Sequence, residues 1–234
     1  MRIFQNFQEA YPEILRDIVK FGVLVKSKTQ QDKDVSHTDK WHSKELQCYS
    51  FGVIDTSDSL AQSKDPEWCQ LEIKERLNME APFVNPGTAY KKREYWDSYL
   101  YHNNHGDSRF PYTYNERIGP YLMDVINLLK SNPDTRQAII NLFIQSHDIK
   151  GVNGKFRIPC SIFYHFMYRQ EKLDIIYTMR SCDYYEHFRN DCHLACELRN
   201  FIAEQCGMEP GKFFMNINSL HVYKKDAPEE YQMF

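Results

Sequence analysis

The chain has 234 residues and a formal charge of -3, from 29 Lys and Arg against 32 Asp and Glu. That size suits one catalytic domain over residues 1–234, and 42% hydrophobic content with 15% aromatic residues supplies a sizeable core. The near balance of charge excludes a chain-wide basic field, so direct nucleic-acid binding is not expected and phosphate recognition must rest on a few placed side chains. Seven scattered cysteines point to free thiols in a reducing cytoplasm, and no apolar run is long enough to cross a bilayer.

In chain order, residues 7–20 predict a short opening helix. Lys26 to Glu45 is dense in Lys, Asp, Gln, Ser and Thr and reads as an exposed, mobile polar loop able to serve as a lid. A strand is predicted at 46–54. Asp65-Pro66 is an N-cap followed by proline at the first helical position, opening a helix over about 66–78. Residues 83–117, rich in Pro, Gly, Asn and Tyr, read as an active-site insertion. Leu122, Val125, Ile126 and Leu129 fall at helical spacing from 119, and Asn132-Pro133 ends that helix. Strands are predicted at 138–145, 160–168 and 173–180. Leu194, Leu198, Phe201 and Ile202 mark a helix stopped by Gly207, after which Pro210-Gly211 turns into a last strand ending near Tyr223. Strands and helices mix without strict βαβ alternation, which gives an α+β class.

Cys160 follows a proline and lies near Arg157, a cation that favours a thiolate, yet a buried structural thiol is the simpler account of any one cysteine. Arg180-Ser181 joins a planar guanidinium to a hydroxyl and suits a phosphate, although a surface ion pair fits Arg180 as well. His221 and Tyr223 lie two apart, so on a strand they share a face and can hold a sugar hydroxyl together. Asp191 also reads as an N-cap for a helix beginning near Cys192. Cys192, His193 and Cys196 lack a second ligand cluster, and no metal is expected. Tyr184-Tyr185 and the tyrosines at 112–114 fit both pocket lining and aromatic packing.

Glu72, Trp96-Asp97-Ser98-Tyr99, Asp134-Thr135-Arg136-Gln137, Pro159-Cys160, Arg180-Ser181-Cys182-Asp183, Asp191 and His221-Val222-Tyr223, taken in order, resemble the motif series of the thymidylate synthase family over about residues 66–224. The resemblance implies that family's α+β fold, with mixed sheets stacked across a homodimer interface. It implies a pyrimidine nucleoside monophosphate as substrate and 5,10-methylenetetrahydrofolate as one-carbon donor. Cys160 would add to C6 of the base, Arg180 and Ser181 would hold the phosphate, and Arg136 would reach the partner subunit's phosphate site. His221 and Tyr223 would bind the 3′-hydroxyl, Glu72 would order the water and proton network, and Asp183 would contact the folate with Trp96 packed near it. Gln137 replaces a usual second arginine, a lysine between Lys26 and Lys44 would stand in for an early-loop arginine, and the chain ends at Phe234 without the family's longer tail.

The family's synthases read uracil with Asn, and here that place holds Asp191, with Asn190 beside it expected at the base. Uracil presents an N3–H donor and an O4 acceptor, whereas cytosine presents an N3 acceptor and an N4 donor. A carboxyl sharing one proton with N3 matches cytosine, so dCMP is the favoured substrate. Residues 188–191 and 219–223 resemble the family's deoxycytidylate hydroxymethylases, which implies water capture of the new C5 carbon and a 5-hydroxymethyl-dCMP product. The alternatives are a dUMP-directed synthase or hydroxymethylase, a CMP hydroxymethylase and a non-catalytic nucleotide-binding homologue.

Overall fold

The computed structural model describes residues 1–30, 33–92, 94–102, 107–149 and 157–229. In chain order these form β1 (Arg2–Phe4), α1 (Phe7–Phe21), β2 (Val23–Val25), β3 (Thr29–Gln30), β4 (Lys33–Asp34), β5 (Ser43–Val53), α2 (Pro66–Arg76), β6 (Tyr101–His102), β7 (Ser108–Arg109), α3 (Tyr114–Ser131), β8 (Ile139–Asn141), α4 (Gln145–Asp148), β9 (Ser161–Arg169), β10 (Lys172–Met179), β11 (Cys182–Asp183), α5 (Arg189–Cys206) and β12 (Glu209–Tyr223). No described helix is long and apolar enough to cross a membrane.

Leu173, Ile175, Tyr177 and Met179 alternate with half-buried residues along β10, and the first set is buried against helices. β10 lies within a mixed sheet of order β1-β5-β12-β10-β9-β8, with β2 paired to β5 and β11 to β12. β10 and β12 run parallel, while β9 and β5 are antiparallel to their neighbours β10 and β12. The hairpin joining β9 to β10 turns through Gln170 and Glu171, both at positive φ, the pair of left-handed residues that a twisted two-residue turn needs. Ile14 and Ile18 of α1, Leu122 and Ile126 of α3, and Leu198 and Ile202 of α5 complete the core, each stabilising by about 1.5–3 kcal/mol on burial. The α+β expectation therefore holds.

The opposite face of the sheet carries half-buried Phe163, Met167, Ile176 and Phe214, with Ile3 and Ile139 exposed at its margins. This apolar face is the surface that the expected sheet stacking would cover.

Several boundaries differ from expectation, each for a local reason. α3 starts at Tyr114, ahead of its apolar stripe, because Thr113 and Glu116 form a capping box. The strand expected to 145 ends at Asn141; Asp148 accepts the Ile144 N–H at 2.7 Å and pairs with buried Arg117 at 2.8 Å, folding the chain into α4. Pro210-Gly211 lies inside β12 instead of turning into it. A Cβ on Gly211 would come within 2.2 Å of Asp174 Oδ1, the atom that accepts the Lys212 N–H at 2.6 Å. The 26–45 segment contains the β3–β4 pair and the start of β5, and Lys224 and Lys225 donate backbone N–H groups to the carbonyls of His42 and Lys40. Gly207, at φ 69°, is the left-handed residue that ends α5.

Arg199 ties α5 to the sheet. Almost fully buried, it donates from Nη1 to the Gly211 carbonyl at 2.7 Å and from Nη2 to Thr56 Oγ1 at 2.8 Å. Arg199→Met removes both bonds, leaving acceptors unpaired, and should lower unfolding free energy by about 2–4 kcal/mol in urea titration.

Candidate active site

The strand that carries His221 and Tyr223 changes its buried face partway along. Phe213, Met215 and Ile217 point into the core, but beyond Asn218 it is Leu220 and Val222 that do so. The partner strand kinks in step: Cys48 of β5 sits at φ 53°, in the left-handed region, and Leu46 joins the core beyond it. The inversion turns Ser219, His221 and Tyr223 toward Glu45, whose Oε2 accepts from Ser219 Oγ at 2.6 Å. The rings of His221 and Tyr223 lie 4.8 Å apart, and Trp41 packs 5.3 Å from Tyr223. β11 sets Asp183 in register with His221. Burial lowers the His221 pKa against the opposing pull of Asp183; burial raises that of Asp183, with His221 and two backbone N–H bonds opposing.

Those two N–H donors, from Tyr185 and Glu186, cap the π turn 184–188 that opens α5, so Asp183 is the cap. Asp191, read as an N-cap, instead lies in the first turn of α5. Tyr184 is core, its hydroxyl donating to the Tyr11 carbonyl at 2.7 Å.

Pro159-Cys160 forms the approach to β9, and Arg180 grips it. Nε donates to the Pro159 carbonyl at 2.8 Å and Nη2 to that of Ile158 at 3.3 Å, while Nη2 stands 3.7 Å from Cys160 Sγ. The Arg180 N–H closes the clamp on the Cys160 carbonyl at 2.8 Å. Arg180 Nη1 and the Ser181 hydroxyl make no hydrogen bond among the described residues, which leaves donors for a phosphate. Cys160 is half-buried beside a guanidinium, whereas Cys69, Cys182, Cys192 and Cys196 are buried. Burial pushes the Cys182 and Cys192 thiols well up and that of Cys196 to about 12. Cys206 donates to the Ile126 carbonyl and Cys48 lies out on β5. Arg157, near Cys160 in sequence, stacks on Trp96 at 4.0 Å, which attaches that tryptophan to the cysteine loop.

Beneath the cysteine runs a chain of buried hydroxyls. Tyr114 is hydrogen-bonded to Ser161 at 3.0 Å, and Ser161 to Tyr177 at 2.5 Å. Burial pushes the Tyr114 phenol up to about 12, with Cys160 and Asp191 adding to the rise and Arg76 and Arg157 opposing it. Arg76 donates from Nε to Glu72 at 2.8 Å and places its guanidinium 4.2 Å over the Tyr114 ring. Asp191, half-buried, has Cys182 Sγ 3.9 Å from Oδ2.

The fold thus gathers Cys160, Arg180, Glu72 and Asp191 around Tyr114, and sets Asp183, His221 and Tyr223 along the adjoining strands. Asn190 departs from expectation: its Oδ1 accepts from the backbone N–H groups of Lys64 and Asp65 at 2.9 and 3.0 Å, tying α5 to the entry of α2. Arg136 is not part of the cluster. It is exposed on the turn before β8, with its backbone bonded to His165 on the sheet's open face. Sequence reading missed Arg76, Ser161 and Tyr177. The i,i+4 charge pair Glu72–Arg76 was a signal for the first; nothing local marked the other two.

A family model described as thymidylate synthase matches residues 9–233. A putative thymidylate synthase of Methanosarcina mazei is 29% identical over 171 residues, covering 66% of this chain and 76% of that protein. A deoxyuridylate hydroxymethyltransferase of Bacillus phage SP01 is 34% identical over 107 residues, 45% of this chain and 27% of that protein. The crystal structure of thymidylate synthase from T4 phage superposes with a TM-score of 0.67 at 15% identity, covering 96% of this chain and 79% of that one, which establishes likeness of fold. With the family model matching nearly the whole chain, the chain belongs to the thymidylate synthase family, whose members transfer one-carbon units.

Proposed function

We propose that the protein is a deoxycytidylate 5-hydroxymethyltransferase, converting dCMP and 5,10-methylenetetrahydrofolate to 5-hydroxymethyl-dCMP. The observation that carries this reading is a carboxyl at Asp191, in the first turn of α5 and electrostatically linked to Arg76 and Tyr114. A carboxyl group has no N–H to offer O4 of uracil, but both its oxygens can face the N3 and N4 edge of cytosine once a proton is shared with N3. Leaving O4 without a donor in a closed site penalises dUMP by orders of magnitude in kcat/KM.

In this reading Cys160 attacks C6, with the Arg180 guanidinium 3.7 Å from its sulfur. Arg180 Nη1 and Ser181 hold the phosphate, joined by Arg136 from the partner subunit, and His221 with Tyr223 holds the 3′-hydroxyl. Glu72, fixed by Arg76, orders the proton network that includes Tyr114 and Ser161. Homodimerisation through the open face of the sheet is supported by the row Phe163, Met167, Ile176 and Phe214.

The residues present fit a folate. Asp183 Oδ1 accepts both backbone N–H bonds, which leaves Oδ2 for the ligand, and Trp96 and Tyr99 give an aromatic wall beside Arg157. When bound, methylenetetrahydrofolate supplies the one-carbon unit.

A second reading, dUMP hydroxymethylation, is favoured by the name of the Bacillus phage SP01 relative. Tritium release from C5 of labelled dCMP or dUMP, with methylenetetrahydrofolate present, separates the two. Release from dCMP with formation of 5-hydroxymethyl-dCMP is expected; release from dUMP alone would reject the Asp191 reading.

A further inference from the structure

A second cleft, of about 590 Å³, opens between α2, α5 and the loop 54–60, and none of its lining residues belongs to the cluster around Tyr114. Clefts of roughly 300–1,000 Å³ hold small-molecule ligands. Gln70 and Ile73 line it from α2, His193 and Glu197 from α5, and Lys172 from the start of β10.

His193, which fits no metal cluster, is the buried polar group of this wall. It is 3% exposed, its Nδ1 lies 2.9 Å from Ser59 Oγ, and its Nε2 makes no hydrogen bond among the described residues. The Ser59 hydroxyl is equally buried and has no other acceptor among those residues, so it donates to Nδ1 in preference to leaving its proton unpaired. That places the ring proton on Nε2 and makes it the donor that His193 offers the cleft. Burial lowers the His193 pKa against the pull of Glu197, which keeps the ring neutral.

Glu197 follows His193 by one helical turn and so shares its side of α5. Its carboxylate is anchored: Oε1 accepts from Asn200 Nδ2 at 3.1 Å, and Asn200 Oδ1 accepts from buried Arg199 at 2.7 Å. Oε2 and a lone pair of Oε1 remain for a ligand. Asp55, the other acid lining the cleft, is exposed and accepts the Ser57 N–H at 2.9 Å. Lys172, also exposed, makes no ion pair among the described residues.

One N–H donor beside two carboxylate oxygens calls for a ligand edge that runs acceptor, donor, donor. Guanine has that order in O6, N1–H and N2–H₂, whereas uracil runs acceptor, donor, acceptor, and cytosine and adenine each place a ring-nitrogen acceptor next to their amine. We propose that this cleft is a second ligand site, for a guanine nucleotide: His193 Nε2–H meets O6, the Glu197 carboxylate receives N1–H and N2–H₂, and Lys172 meets the phosphate. Leu60 and Ile73 supply apolar contact for the purine ring.

Equilibrium dialysis of labelled GMP against the full chain tests the site, with dCMP and dUMP both saturating so that the active site is filled whichever base it prefers. One GMP per chain is expected to stay bound. IMP, which lacks the N2 amine, should bind about tenfold more weakly, and AMP about a hundredfold or more. Glu197→Gln, which turns an amide donor toward the two guanine donors, should weaken GMP by about a hundredfold. Lys172→Glu, an exposed change, should weaken GMP but leave guanosine unaffected; if Glu197→Gln does not fold, this variant and the IMP and AMP comparison decide. No GMP retained at millimolar concentration, its complete displacement by the pyrimidine nucleotides, equal binding of AMP, or full affinity in folded Glu197→Gln would each overturn the proposal. The base preference of the active site can fail without touching it, since both pyrimidine nucleotides are present throughout.

Discussion

Cys160→Ala should reduce tritium release and product formation by roughly four orders of magnitude or more, because removal of a covalent nucleophile leaves only binding and orientation to act. The same variant should still bind dCMP, since Arg180 keeps its bonds to the carbonyls of Ile158 and Pro159 and loses only the sulfur 3.7 Å away. Single-turnover assays paired with calorimetric binding check both halves. Retained turnover would exclude Cys160 as nucleophile and return the choice to the other thiols, of which Cys182 and Cys192 are held protonated by burial. Loss of binding as well would show that the cysteine loop, rather than the thiol, had been damaged.

Asp191→Asn should reverse the base preference. An amide offers one donor and one acceptor, matching O4 and N3–H of uracil and mismatching cytosine, and sites built on such pairs discriminate by about 10⁴-fold. The ratio of kcat/KM for dCMP and dUMP is therefore expected to fall by roughly that factor, with little change in stability because Asp191 is half-buried and Asn keeps its size. An unchanged ratio would show that the base is read elsewhere. Asn190 is a poor candidate, its oxygen being committed to Lys64 and Asp65.

The helices were legible where one local signal sufficed. Asp65-Pro66 opens α2, and Gly207 closes α5 at φ 69°. Strand alternation placed β9 and β10 within a residue or two, and the period of two put His221 and Tyr223 on one face. Less legible were features set by partners distant in sequence. Arg117 lies thirty-one positions from Asp148, which it holds at 2.8 Å, and that pair cut the expected strand short. Ser161 gains its place in the hydroxyl chain from Tyr114, forty-seven positions away. The roles proposed for Cys160 and Asp191 come only from the order of motifs along the whole chain, since locally one is a thiol after a proline and the other resembles a helix cap.

The change of buried face near Cys48 and Asn218 has a consequence for how this protein can vary. A regular strand couples its two sides throughout, so a shift that repacks a core transfers to whatever the other side displays. Here one strand is divided into two stretches: Phe213, Met215 and Ile217 face the core in the first, and Leu220 and Val222 join the same core in the second while Ser219, His221 and Tyr223 turn the other way. In the proposed reading, the outward positions of the second stretch can change substrate preference while the inward positions of both stretches keep one core.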